Sequence, residues 1–452
     1  MARWQEELKQ LLTLMGPILV TQLAQAGYGF VDTIMAGQVS PLDLAAVAIG
    51  AGLWLPVFLL ISGTVMATTP LVAAAYGGGR HADVPRIAHQ AFWTGLICGV
   101  LGGLTLRFIP LLFDHLHVPA HLQGPTRLYL EGIAWGMPAV ALFCVLRFYS
   151  EALGHTRPVM VISVIGVLLN IPANYVFIHG MFGLPAMGGA GCGWATAVVM
   201  IALTGLLLAW VMLSPRYAQH RLFKESLRTD WPRIRHIFAL GLPIGIAIFF
   251  EVSVFSLVAL LVSPLGEQVV AAHQVSMSVT SLLFMLPLSL AIAMTIRTGQ
   301  AFGRHDWSGI RRVRRTGLAA TTLIACLSAL GITVFRDDIT RFYTTDTHVQ
   351  GIAATLLLYA AAYQVFDALQ VGAAGCLRGV QDTRSPMVLT LIAYWVIAMP
   401  VGYSLGMTDY WTAQPLGAAG FWTGLVAGLG AACVLLNLQL VRRLRKLEKH
   451  WS

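Results

Sequence analysis

Twelve long apolar segments dominate this chain of 452 residues. A helix rises about 1.5 Å per residue, so about 20 apolar residues are needed to cross a hydrocarbon core about 30 Å thick. Each segment reaches that length, which predicts an all-α polytopic membrane protein with twelve transmembrane helices. The predicted spans are residues 11–36, 44–75, 87–112, 127–149, 158–179, 190–213, 237–263, 268–296, 316–335, 348–375, 386–407 and 416–441.

The composition excludes a water-soluble fold. Only 11% of the residues are charged and 57% are hydrophobic, whereas about a quarter of the residues in a soluble domain are charged. The net charge of +9 does not indicate nucleic-acid binding, because the basic residues are spread between apolar runs and form no basic face.

Motifs for enzymes, ATP hydrolysis and metal centres are absent from the sequence. The six cysteines are far apart and form no C-x-x-C pair, so neither a disulfide framework nor a cysteine metal site is predicted. No lysine follows a glycine in a phosphate-binding loop, and neither H-E-x-x-H nor G-x-S-x-G occurs. We therefore expect a protein that is not an enzyme and has no bound cofactor.

The distribution of basic residues predicts the orientation of the spans. Lys and Arg are retained on the cytoplasmic side in short loops. The N-terminus, the loops after every second span with the span ends beside them, and the C-terminal tail together contain 25 of the 29 Lys and Arg residues. Both termini are therefore predicted to be cytoplasmic.

Sequence similarity between the two halves predicts two lobes, residues 1–225 and 226–452. Residues 16–18 resemble residues 242–244, and the sequence Val-Ser-Pro-Leu occurs at both 39–42 and 262–265, so the two similarities have nearly the same offset. Six spans per half is an even number, so the halves enter the membrane from the same side. This predicts parallel repeats related by an axis along the membrane normal.

Three acidic residues lie well within the predicted spans, away from the span ends, where a carboxylate is costly unless it faces a cavity, a partner or an ion. Asp32 lies in the outer half of the first span, Glu251 in the middle of the seventh and Asp367 in the tenth. Tyr363 is four residues before Asp367, on the same helical face. An acid beside an aromatic ring is a suitable receptor for a cation. The alternatives are an interfacial Asp32, a protonated Glu251 in the packing, and an Asp367 bonded to the tyrosine.

Other polar residues are weaker candidates. Asn170 and Asn174 share one face of the fifth span, and their amide oxygens suit either a hard cation or hydrogen bonds between helices. Glu131 and Glu151 lie near predicted span ends and Asp382 lies in a loop, so we expect these three to be solvated or to cap helices.

Several ordered stretches resemble the multidrug and toxic compound extrusion (MATE) family, NorM-type branch, across nearly the whole chain. The stretches are Gly29-Phe30-Val31-Asp32-Thr33, Leu168-Leu169-Asn170-Ile171-Pro172, Gly188-Gly189-Ala190-Gly191, Phe249-Phe250-Glu251-Val252, Val262-Ser263-Pro264-Leu265-Gly266 and Leu377-Arg378-Gly379.

The resemblance implies a secondary active multidrug efflux antiporter that exports organic cations in exchange for Na⁺ or H⁺ by alternating access of two lobes. It implies that Asp32, Asn170, Asn174 and Thr196 form a polar cluster in the N-terminal lobe. It also implies that Glu251, Tyr363 and Asp367 form a cation site, with Na⁺ as the candidate metal. Where some relatives have Asp, this chain has Asn174, so Asp32 alone carries the charge of the first cluster.

The resemblance also implies a location and partners. We expect a monomer in a bacterial cytoplasmic (inner) membrane that crosses the lipid bilayer many times. Its partners would be cationic drugs and dyes together with Na⁺ or H⁺, and not nucleic acid. An alternative within a related superfamily fold is a flippase for a lipid-linked substrate, which would favour a cationic cavity over an acidic one.

Overall fold

The structure is a computed structural model that describes residues 2–220, 222 and 228–451. These residues contain twelve helical spans and no β-strand. The spans are α1 (Ala2–Val39), α2 (Pro41–Gly77), α3 (Asp83–Leu112), α4 (Ala120–Ala152), α5 (Thr156–His179), α6 (Gly188–Leu213), α7 (Trp231–Leu265), α8 (Glu267–Gly303), α9 (Trp307–Tyr343), α10 (Thr347–Gly379), α11 (Arg384–Met407) and α12 (Ala418–Trp451).

The predicted all-α architecture with twelve helices is confirmed. Within the described residues, eleven helices, α2 to α12, are long and apolar enough by themselves to cross a membrane. α1 has the length, but Gln22, Gln25 and Asp32 interrupt its apolar run. Most helices extend beyond the predicted spans, because their polar ends continue the backbone hydrogen bonding past the apolar core.

The helices form two compact units. The N-terminal unit comprises Gly16–Gly245, and the C-terminal unit comprises Met1–Met15 together with Ile246–Ser452. The predicted lobe boundary, between residues 225 and 226, lies outside the described residues. Each unit has its own apolar core, built around residues such as Phe148 and Tyr149 in the first and Phe421 and Trp422 in the second.

Glycines at every fourth residue let neighbouring helices approach closely within each unit. In the N-terminal unit, Gly95, Gly99 and Gly103 of α3 face α4, and a Cβ atom added at Gly99 would lie 2.5 Å from the Cα atom of Pro138. In the C-terminal unit, α12 presents the same spacing to α11, with Gly420, Gly424 and Gly428. Small residues at this spacing stabilise membrane helix pairs, since packing replaces the hydrophobic effect in lipid.

Backbone geometry repeats between the units. The helix ends after α2 and α8 have left-handed residues at Gly79 (φ 72°) and His305 (φ 57°). Those after α4 and α10 have them at Gly154 (φ 83°) and Gln381 (φ 60°). The two residues of each pair are separated by nearly the same number of residues as the similar sequence stretches. The same turn therefore ends the corresponding helix in each unit.

One helix departs from regular α geometry near a predicted site. Residues Ile392–Ala398 of α11 are π-helical, and Pro400 follows within the next turn. A proline ring clashes with the carbonyl four residues earlier, and a widened turn relieves that clash. Tyr394 lies in this widened stretch.

Candidate functional site

Asp32 of α1 is the centre of a buried polar cluster in the N-terminal unit. Its Oδ1 atom accepts hydrogen bonds from the side-chain amides of Asn170 (2.9 Å) and Asn174 (2.7 Å). Its Oδ2 atom accepts one from the hydroxyl of Thr196 (3.3 Å). The structure thus brings together all four residues that the resemblance assigned to this cluster.

Helix geometry explains how the Asp32 cluster forms. Asn170 and Asn174 are one turn apart on α5 and therefore face α1 together. Just before them, Gly166 leaves room for the hydroxyl of Tyr28, which any Cβ atom would meet. That hydroxyl donates a hydrogen bond to the carbonyl of Ser163 at 3.4 Å. The close approach of α1 and α5 brings Asp32 to the two amides.

The cluster is rich in oxygen atoms and poor in positive charge. The three side chains bonded to the Asp32 carboxyl group are neutral. Among the described residues, the amide oxygens of Asn170 and Asn174 are buried and have no hydrogen-bond partner. Buried polar atoms usually have a partner, and oxygen ligands suit hard cations. The cluster can therefore hold a proton or a small cation.

The second cluster lies in the C-terminal unit. The hydroxyl of Tyr394 donates a hydrogen bond to Glu251 at 3.0 Å and is also bonded to the hydroxyl of Tyr363. Asp367 is 2% exposed and interacts electrostatically with Glu251. The structure therefore brings the three predicted residues of this site into one cluster.

Asp367 lies among buried polar atoms that have no partner in the part of the chain that the structure describes. These atoms are Asp367 Oδ1, both polar side-chain atoms of Gln364 and the Oε1 atom of Gln370. The three residues follow at intervals of three along α10 and share a face. Unpaired buried groups are costly, so this face is suited to binding a charged or polar ligand.

Aromatic rings surround the second cluster. The ring of Phe255 packs edge-on against Tyr363 at 6.1 Å and Tyr394 at 6.3 Å, and Tyr363 packs edge-on against Trp422 at 6.0 Å. Aromatic faces attract cations through their quadrupole. The combination of two acids and these rings suits an organic cation as well as an inorganic one.

The charges of the two clusters are similar. The Asp32 cluster has one carboxyl group and no basic member. The second cluster has two carboxyl groups, and Arg378 of α10 interacts electrostatically with Glu251. When the carboxyl groups are ionised, each cluster therefore has one net negative charge.

Sequence reasoning missed several members of the second cluster. Tyr394, Phe255, Trp422 and Gln364 were not predicted, although Gln364 lies between Tyr363 and Asp367 and could have been noticed. Tyr394 is in an apolar segment with Trp395 beside it, and only the folded geometry distinguishes it from a packing residue.

The two acids near predicted span ends form ion pairs. Glu131 is paired with Arg107 at 3.2 Å and Arg127 at 3.5 Å. Glu151, expected to be solvated or capping, is instead fully buried and paired with Arg147 at 2.8 Å. The expectation was wrong because α4 continues to Ala152, which places Glu151 within the helix. Arg147, one of the 25 basic residues assigned to the cytoplasmic side, is likewise buried within α4.

Asp382 caps the following helix, as expected. Its carboxyl group accepts hydrogen bonds from the backbone and the hydroxyl of Ser385 at 3.2 Å and 2.9 Å.

Among the described residues, no group of three or more His, Cys, Asp or Glu residues could hold a metal ion. The predicted Na⁺ site, which relies on Tyr363 beside Glu251 and Asp367, stays a prediction.

Twelve helices in two similar units, each with a buried acidic cluster, define a polytopic membrane protein built from an internal repeat. The MatE family profile matches the chain twice, over residues 17–176 and 243–404. The chain belongs to the MatE family. The two matches begin at residues 17 and 243, which are equivalent positions in the similar stretches 16–18 and 242–244. The profile therefore confirms the internal repeat.

The chain is similar over nearly its whole length to proteins from bacteria. It is 49% identical to the probable multidrug resistance protein NorM of Acinetobacter baylyi, with 98% of each chain covered. It is 47% identical to the multidrug resistance protein PmpM of Pseudomonas aeruginosa, with 98% of this chain and 93% of that protein covered.

Solved structures share the fold. The crystal structure of MATE in the bent conformation matches with a TM-score of 0.89 at 20% identity and covers 98% of this chain and 96% of its own. The eukaryotic MATE transporter AtDTX14 matches with a TM-score of 0.87 at 18% identity, with 99% and 100% covered.

Proposed function

We propose that this protein is a secondary active multidrug efflux antiporter, which exports organic cations from the cytoplasm in exchange for Na⁺ or H⁺. The observation that carries the proposal is the second cluster, in which Glu251 and Asp367 lie among the rings of Phe255, Tyr363 and Tyr394. The relatives from Acinetobacter and Pseudomonas are both named as multidrug resistance proteins, which supports drug efflux.

Competition for charge is the proposed mechanism. A drug cation and the coupling ion both need the carboxyl groups of the second cluster, so binding of one releases the other. Na⁺ binds the carboxylate oxygens, whereas H⁺ neutralises them. A ligand shifts a conformational equilibrium only through its differential affinity for the two states. Alternating access of the two lobes then follows from which cation is bound.

The Asp32 cluster serves as a second site for the coupling ion in this proposal. Among the described residues, the side chains that donate to the Asp32 carboxyl group are two amides and one hydroxyl, which are small and neutral. Such a site suits an inorganic cation or a proton better than a bulky drug. Asp32 alone provides its charge, because position 174 is Asn.

The proposed setting is a bacterial cytoplasmic membrane, with both termini in the cytoplasm. With the buried Arg147 left out, 24 of the 29 Lys and Arg residues belong to the two termini and the loops after every second span, which supports this orientation. The acidic character of both clusters argues against the flippase alternative, since a lipid-linked anion would be repelled.

Ethidium transport in proteoliposomes tests the proposed function. Purified protein is reconstituted, and an Na⁺ gradient and a pH gradient are imposed separately without ATP. We expect ethidium to move in the direction opposite to the coupling ion under at least one of the two gradients. This movement should stop when an ionophore collapses that gradient. Ethidium movement that ignores both gradients would contradict antiport.

A further inference from the structure

A second buried polar network lies in the N-terminal unit, apart from the Asp32 cluster. The Nε atom of Arg147 donates to Glu151 at 2.8 Å. Its Nη1 and Nη2 atoms donate to the side-chain oxygens of Gln25 (2.8 Å) and Gln22 (2.7 Å). Arg147 is 3% exposed and Glu151 is 0% exposed. The network therefore joins α4 to α1 through a buried ion pair.

The network does more than neutralise a charge. Glu151 alone compensates Arg147, and a buried ion pair by itself is weak evidence for a contribution to stability. The planar guanidinium group presents N–H donors in a fixed fork, and two branches of this fork reach α1. Two amide oxygens of α1 are therefore held at a defined distance and orientation from α4.

The face of α1 that Arg147 holds is the face that carries Asp32. Gln25 and Asp32 are seven residues apart, which is nearly two full turns and places them within about 20° of each other at a separation of about 10 Å. A rotation of α1 by about 20° would move a side chain about 5 Å from the axis by about 2 Å. Hydrogen bonds of 2.7 and 2.9 Å to Asp32 would not survive that movement.

We propose that Arg147 and Glu151 are positioning residues for the Asp32 cluster: through Gln22 and Gln25 they fix the rotation of α1 and so aim Asp32 at Asn170 and Asn174. This inference rests on the proposed function, in which Asp32 binds the coupling ion. Arg147 itself does not touch the ion.

The test compares the cation dependence of transport in variants. The double variant Gln22→Leu and Gln25→Leu removes both acceptors on α1 and keeps the ion pair. We expect the Na⁺ concentration for half-maximal ethidium efflux to rise about tenfold if Na⁺ is the coupling ion, because a hydrogen bond to a charged group has about that effect on an equilibrium. If H⁺ is the coupling ion, we expect the half-maximal H⁺ concentration to fall by a similar factor, because a carboxylate that loses hydrogen-bond donors is protonated more easily. If the double variant does not reach the membrane, Gln25→Leu alone is measured, with a smaller shift expected.

A matched control separates positioning from general stability. Glu7 is 4% exposed and forms a bidentate pair with Arg297 at 2.8 and 3.0 Å in the C-terminal unit. Glu7→Gln disrupts a second, largely buried ion pair far along the chain from Asp32. We expect less folded protein but an unchanged half-maximal cation concentration for the protein that remains.

A double-mutant cycle gives the sharpest result. In an Asp32→Asn background, the glutamine variant should not shift the half-maximal cation concentration any further, because both changes act on the Asp32 cluster. In an Asp367→Asn background, the glutamine variant should still shift the half-maximal cation concentration of the remaining efflux, because the two changes act on different clusters. An unchanged cation dependence in the glutamine variants overturns the inference. Absence of gradient-driven efflux in the wild type would instead overturn the proposed function, so the two failures are distinguishable.

Discussion

Gly428 of α12 connects helix packing to the second cluster. A Cβ atom added there would lie 2.8 Å from the carbonyl oxygen of Ala393 and nearer still to the Cβ atom of Ala398. Both contacts are in the π-helical stretch of α11 that holds Tyr394. The variant Gly428→Ala must therefore displace this stretch.

The size of the effect follows from the geometry. Carbon atoms in contact are about 3.5–4.0 Å apart, so α11 must move by about 1 Å. Overpacking of this kind costs about 1–3 kcal/mol, and an alanine in a helix recovers up to about 1 kcal/mol. A shift of about 1 Å would also break the Tyr394–Glu251 hydrogen bond, which contributes about 1.5–3 kcal/mol. We expect a net loss of about 1.5–5 kcal/mol.

Gly430→Ala is the matched control, because a Cβ atom at Gly430 meets nothing within 4 Å. It lies on the same helix and should be neutral or stabilising by up to about 1 kcal/mol. The assay is thermal unfolding of both purified variants in detergent, together with ethidium efflux at equal membrane levels. Equal unfolding midpoints and equal efflux for the two variants would refute the reasoning.

Two further predictions concern single residues. Asn174→Leu removes the 2.7 Å donor to Asp32 and should shift the cation concentration for half-maximal efflux about tenfold. The control Asn437→Leu loses only a hydrogen bond within its own helix and should leave this concentration unchanged. Equal half-maximal concentrations for the two variants would contradict the prediction. Asp306 caps α9 by accepting from the Gly309 backbone at 2.8 Å, so Asp306→Ala should cost about 1 kcal/mol in unfolding experiments at pH 7. Burial opposes ionisation of Asp306, but bonds from Gly309 and Ser308 outweigh it and lower its pKa. The capping contribution should therefore be complete above about pH 4 and lost as the pH falls further, and a cost independent of pH would contradict it.

The architecture was predictable from the sequence because lipid imposes a simple rule. Every backbone group in the hydrocarbon must be satisfied within the span, so an apolar run of sufficient length is enough to predict a helix. The helix ends were not predictable in the same way. α9, for example, extends from Trp307 to Tyr343, whereas the apolar run covers only 316–335, because polar turns continue a helix without any hydropathy signal.

The candidate sites were predictable only in part. Asp32, Glu251 and Asp367 stand out because a buried carboxylate is costly, and the resemblance added their neighbours. Tyr394 carries no such signal, since a tyrosine in an apolar segment is ordinary. Glu151 was misjudged because its distance from the predicted span end suggested solvent. Its partner Arg147 is four residues earlier on the same helical face, and that spacing could have indicated the ion pair.

Gradient-driven ethidium efflux by Asp367→Asn is the most direct test of the central claim, which is that the buried acids couple drug export to a cation. Asp337→Asn is the control, because Asp337 is 64% exposed and lies outside both clusters. At equal protein levels in proteoliposomes, we expect Asp367→Asn to lower the efflux rate at least about tenfold, since one interaction with a buried charge contributes about 1.5–3 kcal/mol. The control should transport as the wild type does. Full gradient-driven efflux by Asp367→Asn would contradict the account.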